Sequence, residues 1–250
     1  MITSLWKGFN FFGKKDFFKI FIAYLFYGVA SFFLLNYIDV TLSNINLAEI
    51  NSINSINYTQ YIINALGLDL VWVIASIFVL IITYALLTIT VANTESKKKI
   101  SFLKKLRLSF RYSFLFILLF MVFFIIMSIL GSMINIFTII LLVLLLFATI
   151  MVFFMFHIGN IFLGLYDITI KEALEKGKDF FKKKFFTTVV FIILLMIVSE
   201  VIYFIFDKLY HTIFFFDSLA ATITVLVSGF ISATYIINAL TLFVKSKKFV

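Results

Sequence analysis

Cysteine and proline are both absent from the 250 residues. Without cysteine there is no disulfide framework, thiolate metal site or thiol nucleophile. Without proline, no ring can kink or stop a helix, so helix ends must be made by other means. Charge is also scarce. Asp, Glu, Lys and Arg make up 13% of the chain, about half the usual share in a soluble domain. The two histidines, His157 and His211, stand 54 residues apart. That excludes a His-Glu-x-x-His zinc helix, and neither a Gly-x-Ser-x-Gly elbow nor a phosphate loop is present.

Apolar residues take the place of charge. The chain is 64% hydrophobic, with a mean hydropathy of +1.17. That composition excludes an ordinary soluble globule, and it excludes a disordered chain, which needs low hydrophobicity. A multi-pass membrane protein is what is left. Phe occurs 36 times. Phe, Ile, Asn and Lys share AT-rich codons, so this abundance reads as mutational bias rather than as an aromatic binding surface.

A hydrocarbon core about 30 Å thick needs about 20 apolar residues per spanning helix. Six stretches qualify: Phe17–Ile38, Leu70–Ala92, Tyr112–Leu130, Ile134 to beyond Met155, Phe186–Phe206 and Leu219–Val244. Lipid leaves unpaired backbone groups unsatisfied, so all six are expected to be helices and the fold to be all-α. The first stretch is long for a signal peptide and lacks a small-x-small cleavage site, so it is read as a retained span. Twenty of the 21 Lys and Arg residues fall in the N-terminal segment, the second-to-third loop, the fourth-to-fifth loop and the C-terminal tail. Lys208 is the exception. The positive-inside rule then puts both termini and both basic loops in the cytoplasm of a cell membrane. The net charge of +9 becomes a one-sided charge, suited to anionic headgroups rather than nucleic acid.

Each basic segment reads as an amphipathic interfacial helix leading into a span. In Thr169–Phe185, apolar Ile170, Ala173, Leu174, Gly177, Phe181 and Phe185 recur at helical spacing. Thr169 and Glu172 fit a capping box, and Glu172 with Lys176 and Asp179 with Lys183 are favourable i,i+4 pairs. Ile100, Leu103, Leu106 and Phe110 make a second apolar face, and Ile2, Leu5, Trp6, Phe9 and Phe12 a third. The chain therefore divides into three helix-plus-hairpin units, approximately 2–92, 97–160 and 168–250, within one transmembrane domain. Such helices lie in the headgroup layer with lysines toward phosphate. They either anchor topology only or form a collar for lipid or a partner. The collar residues are Lys97, Lys98, Lys99, Lys104, Lys105, Arg107, Arg111, Lys182, Lys183 and Lys184.

The segment Tyr166 to Lys183 carries Glu172, Ala173, Leu174 and Gly177, followed by Phe181 and Lys182. It resembles the linker helix of poorly characterised prokaryotic six-span families, including the membrane domain associated with glycerophosphodiester phosphodiesterases. The likeness runs to about Phe206. Elsewhere only the layout agrees, and the proline those families often carry near this helix is missing. The resemblance implies a non-catalytic six-helix membrane module and supplies no substrate.

Ionisable residues inside a membrane are functional candidates by default. Glu200 lies roughly 21 Å into its span and His157 roughly 34 Å down the opposite way, so a direct proton relay between them is not expected. Glu200 reads first as a protonated or hydrogen-bonded core carboxyl and second as a transport site. His157, beside Gly159 and Asn160, is placed at the inner interface. Asp207, His211 and Asp217 offer too few ligands for a metal site, so no metal or cofactor is expected. Ser228, Gly229, Ser232 and Ala233 form a small-residue face on the last span, for intrachain packing or an oligomer contact. In the loop Asp39–Asp69, Ile50, Ile53 and Ile56 suggest either a short surface helix or a mobile polar loop. Asn57-Tyr58-Thr59 is a chance glycosylation sequon.

These readings converge on a non-enzymatic integral membrane protein whose basic collar organises lipid or a partner complex. The alternative is a subunit of a transporter or channel. Expected partners are anionic membrane lipids and a membrane protein or second copy.

Overall fold

The computed structural model describes residues 1–44, 55–131, 136–213 and 218–246. Within them every regular element is helical. A short helix α1 (Ile2–Lys7) runs into a 3-10 turn (Gly8–Gly13). Six long helices follow: α2 (Phe17–Asn44), α3 (Ser55–Thr94), α4 (Phe102–Gly131), α5 (Ile136–Leu165), α6 (Ile170–Ile213) and α7 (Ser218–Ser246). Of the expected loop Asp39–Asp69, Ile50 and Ile53 lie outside the described residues, whereas Asp39–Asn44 ends α2 and Ser55–Asp69, with Ile56, opens α3.

With no proline to end helices, side-chain caps do so. Thr169 and Glu172 make the expected capping box: the Thr169 amide donates to Glu172 at 2.9 Å, and the Glu172 amide donates to Thr169 Oγ1 at 3.3 Å. Between α3 and α4, Asn93 closes the turn. Its Nδ2 donates to the Ile100 carbonyl at 3.2 Å, and its Oδ1 accepts from the Ile100 amide at 2.9 Å. Ser96 Oγ then donates to the Leu165 carbonyl at 2.7 Å, tying this turn to the end of α5.

Among the described residues, five helices are long and apolar enough to cross a membrane: Ala75–Thr94, Phe102–Phe123, Ile136–Leu165, Ile170–His211 and Thr222–Ser246. This is one fewer than the six spans expected. α2 has 28 residues, but the stretch whose side chains are described, Phe17–Ser31, is shorter than a span. Two further differences concern the basic segments. Leu103, Leu106 and Phe110 belong to α4 itself, with no separate interfacial helix before it. Thr169–Phe185 is likewise continuous with the next span as α6, but Lys184 (φ −129°, ψ 25°) breaks the helical backbone between the two parts.

The core gathers at the basic end of the bundle. There Phe11, Leu87, Val91, Ile161, Phe162, Phe180, Phe191, Tyr235 and Phe243 are buried together. Phe191 stacks on Phe243 with ring centroids 4.3 Å apart. A second cluster joins Ala85 and Ile89 to Tyr112, Phe116, Phe156 and Leu163. Close backbone approach needs glycine where α5 and α6 cross. A Cβ on Gly177 would meet the Met155 carbonyl oxygen at 2.7 Å and the Gly159 amide nitrogen at 3.0 Å. Toward the other end the helices expose their apolar side chains. α5 is the most apolar of the five, yet only 6% of its spanning window is buried. Ile136 and Phe137 are 81% and 69% exposed. Such a surface is stable against hydrocarbon and an aggregation hazard in water. With its helix lengths, it makes this an integral membrane protein.

Candidate functional site

Three polar arrangements interrupt the apolar bundle: an ion network at the basic end, a buried polar layer next to it, and a cavity deeper among the helices.

The ion network joins segments far apart in sequence. Glu95 pairs with Lys14 and, at 3.1 Å, with Lys245. Asp16 pairs with Lys19 at 3.0 Å and Lys99 at 3.3 Å. Asp167 pairs with Lys104 at 2.5 Å and Lys98 at 3.7 Å. Burial pushes the Lys14 ammonium down to about 8, and the nearby Lys245 and Lys99 charges push the same way. The Lys19 hydrogen bond, helped by Lys99 and opposed by burial, holds the Asp16 carboxyl below its ordinary value. The Lys104 hydrogen bond does the same for Asp167.

This sorts the expected collar into groups. Lys98, Lys99 and Lys104 are engaged with carboxylates of their own chain. Lys105 is only 4% exposed and packs inside the bundle. Lys97, Arg107, Arg111 and Lys182 are exposed and in no ion pair among the described residues. Lys183 is exposed, and Lys184 is half-buried at the α6 break.

In the polar layer, His157 is buried and its Nδ1 lies 3.0 Å from the Tyr84 hydroxyl. The two rings stack with centroids 5.4 Å apart. His157 thus packs against α3 inside the bundle, eight residues from the end of α5. Asn160 Nδ2 donates to the Ala85 carbonyl at 3.2 Å, and Tyr112 donates to the Phe156 carbonyl at 2.9 Å. Asn238 Nδ2 donates to the Gly8 carbonyl at 2.8 Å, fastening the N-terminal turn to α7. Lipid offers these groups no water, so each bond replaces hydration that is unavailable there.

Glu200 behaves differently. It is exposed on the outer side of α6, in a shallow depression with Ile193, Met196, Ile197, Val201 and Phe204. His157 and Glu200 are thus not brought together. Their places fit neither a relay nor the buried carboxyl expected for Glu200. Asp207 and His211 lie 3.4 Å apart, and Asp217 is outside the described residues. No cluster of three metal-ligating side chains occurs among the described residues.

The cavity lies between α2, α3, α6 and α7 and measures about 670 Å³. Tyr24, Tyr27 and Ser31 reach it from α2, Leu80 and Tyr84 from α3, Ser199 and Tyr203 from α6. Val225, Leu226, Ser232, Ala233, Ile236 and Ile237 complete it from α7. Among the described residues, no charged side chain lines it. The small-residue face of α7 forms one wall: Ser232 hydrogen-bonds Ser199, and Gly229 admits the Tyr24 hydroxyl. Ser228 is buried, with its hydroxyl donating to the Val225 carbonyl at 3.1 Å. That face is thus occupied within the chain.

Sequence reasoning missed the tyrosines. A signal existed in two places: Tyr24, Tyr27 and Ser31 follow one helical face, as do Ser199 and Tyr203. In apolar helices such hydroxyls were submerged among aromatic neighbours. No family model, curated protein or solved structure matches this chain.

Proposed function

We propose that the protein is a non-enzymatic, six-span cell-membrane protein whose basic flank, turned to the cytoplasm, holds anionic lipid and a membrane partner. The observation that carries this reading is the set of exposed cations with no ion pair among the described residues, Lys97, Arg107, Arg111 and Lys182, beside exposed apolar side chains. Leu103, Phe110 and Phe186 are 77%, 56% and 81% exposed, and Trp6 is 84% exposed on the same flank. Apolar groups entering a headgroup layer with cations above them are what an interfacial anchor requires. Twenty of 21 cations on one side support the orientation. α2, with 28 residues, is long enough for the sixth crossing. The resemblance of residues 166–206 to six-span prokaryotic modules points the same way. The outward Glu200 supports a partner, because a carboxyl facing lipid is costly unless protonated or met by another polar group.

The test compares two sets of Lys/Arg→Gln variants in detergent-purified protein. The first set changes Lys97, Arg107, Arg111 and Lys182. The second changes the internally paired Lys98 and Lys104. Each cation near an anionic surface is worth about 1 kcal/mol. The first set should therefore retain at least tenfold less phosphatidylglycerol, measured by mass spectrometry, and the second should retain nearly as much as the parent. Equal retention in all three proteins would remove the reading.

The cavity favours a second reading, a subunit of a transporter or channel. With no charged lining, its permeant species would be neutral. Glycerol flux into reconstituted vesicles, compared with Ala233→Phe, tests it. Flux at the rate of empty vesicles would end it.

A further inference from the structure

We propose that the cavity between α2, α3, α6 and α7 is a binding site for an uncharged amphiphile, a molecule with an apolar body and a hydroxyl or carbonyl head. Its volume of about 670 Å³ falls within the range that encloses drug-sized ligands. The chemistry of its walls narrows the class from both sides. Among the described residues, every side-chain polar group that lines it is a hydroxyl, and none is charged. A charged head would enter without a counter-ion, at a large desolvation cost. A bare hydrocarbon would leave the hydroxyls dry and unpaired, which is also costly. A neutral head that donates and accepts hydrogen bonds suits both constraints.

The hydroxyls are arranged to meet one head. Those of Tyr24 and Tyr203 come from different helices and both approach Gly229. A Cβ there would overlap the first and stand 3.5 Å from the second. Neither hydroxyl has a side-chain or backbone hydrogen-bond partner among the described residues. Tyr84 is different, because His157 holds its hydroxyl from behind at 3.0 Å and fixes its direction. The apolar body would lie against Leu80, Val225 and Leu226. Tyr84 is ten residues, roughly 15 Å, from the end of α3. That depth puts the head site below the headgroup layer.

The site does not depend on the basic flank, and its test leaves the flank intact. Protein in phosphatidylcholine vesicles would be photolabelled with three diazirine probes on one alkyl chain: hexadecanol, hexadecyl phosphate and hexadecane. Labelled peptides would be mapped by mass spectrometry. Peptides containing Tyr24 and Tyr203 should take up the alcohol about fivefold more than the alkane, the worth of one neutral hydrogen bond. They should discriminate against the phosphate at least as strongly. The outward-facing α4 side chains Phe114, Leu115 and Leu118 should take up alcohol and alkane alike and set the baseline. Tyr24→Phe with Tyr203→Phe keeps the ring shapes and should bring the alcohol down to the alkane level. Ala233→Phe should exclude both. Equal labelling by alkane and alcohol, or by phosphate and alcohol, overturns the proposal. So does an alcohol preference that survives the double Phe variant.

Discussion

Lys14 offers a direct check on the electrostatics of the basic flank. It sits in the turn before α2, with its side chain 18% exposed and its ammonium against Glu95 and, at 3.2 Å, Thr94 Oγ1. Burial, then Lys245 and Lys99, lowers it from the ordinary 10.5 to about 8. Folding therefore disfavours the charged form. Between pH 8 and pH 10.5 the unfolded chain holds the Lys14 proton while the folded chain has lost it. Stability must rise with pH across that window. The gap between 10.5 and about 8, at 1.36 kcal/mol per pH unit, is worth about 3 kcal/mol at most. Below pH 8 the whole penalty is present, and above 10.5 it is gone. The assay is thermal or denaturant unfolding in mild detergent at several pH values from 7 to 10. The parent should gain stability over this range. Lys14→Met, which removes the ammonium and keeps the stem, should lose most of that gain. If Lys14→Met shows the same rise, the burial argument for Lys14 is wrong.

Three further outcomes are expected. Gly177→Ala should destabilise by about 1–3 kcal/mol through overpacking, because the new methyl meets the Met155 carbonyl; exposed Glu175→Ala should change little in the same melt. Asn93→Ala removes both bonds to Ile100 and leaves a buried amide unpaired. It should cost about 2–3 kcal/mol and speed hydrogen exchange at Ile100. Thr169→Ala breaks the capping box and should cost about 1 kcal/mol, whereas Thr169→Ser should restore most of it.

What the chain made legible was local. The Thr169–Glu172 cap and the apolar stretches from Leu70 onward depend on neighbours within a few residues, so spacing alone revealed them. Two kinds of feature stayed hidden. The first is pairing over distance: Lys14 and Lys245 both meet Glu95, 81 and 150 residues away. In sequence, such lysines read as headgroup contacts. The second is rotational phase. A helix that is apolar all round carries no amphipathic signal, so the shared face of Ser199 and Tyr203 did not reveal that it turns inward while Glu200 faces outward. The same gap concealed the tyrosine cavity, whose members come from four helices.

The bond from Asn238 to the Gly8 carbonyl closes a circuit of 230 residues. Ribosomes add about 5–20 residues per second, so the opening turn waits on the order of tens of seconds for its mate. During that delay Tyr235 cannot yet shelter Phe9, and the membrane surface or an insertion factor must hold the segment. Biogenesis thus includes a latching event set by the emergence of α7. A stalled or shortened nascent chain would present the unlatched turn to quality-control proteases.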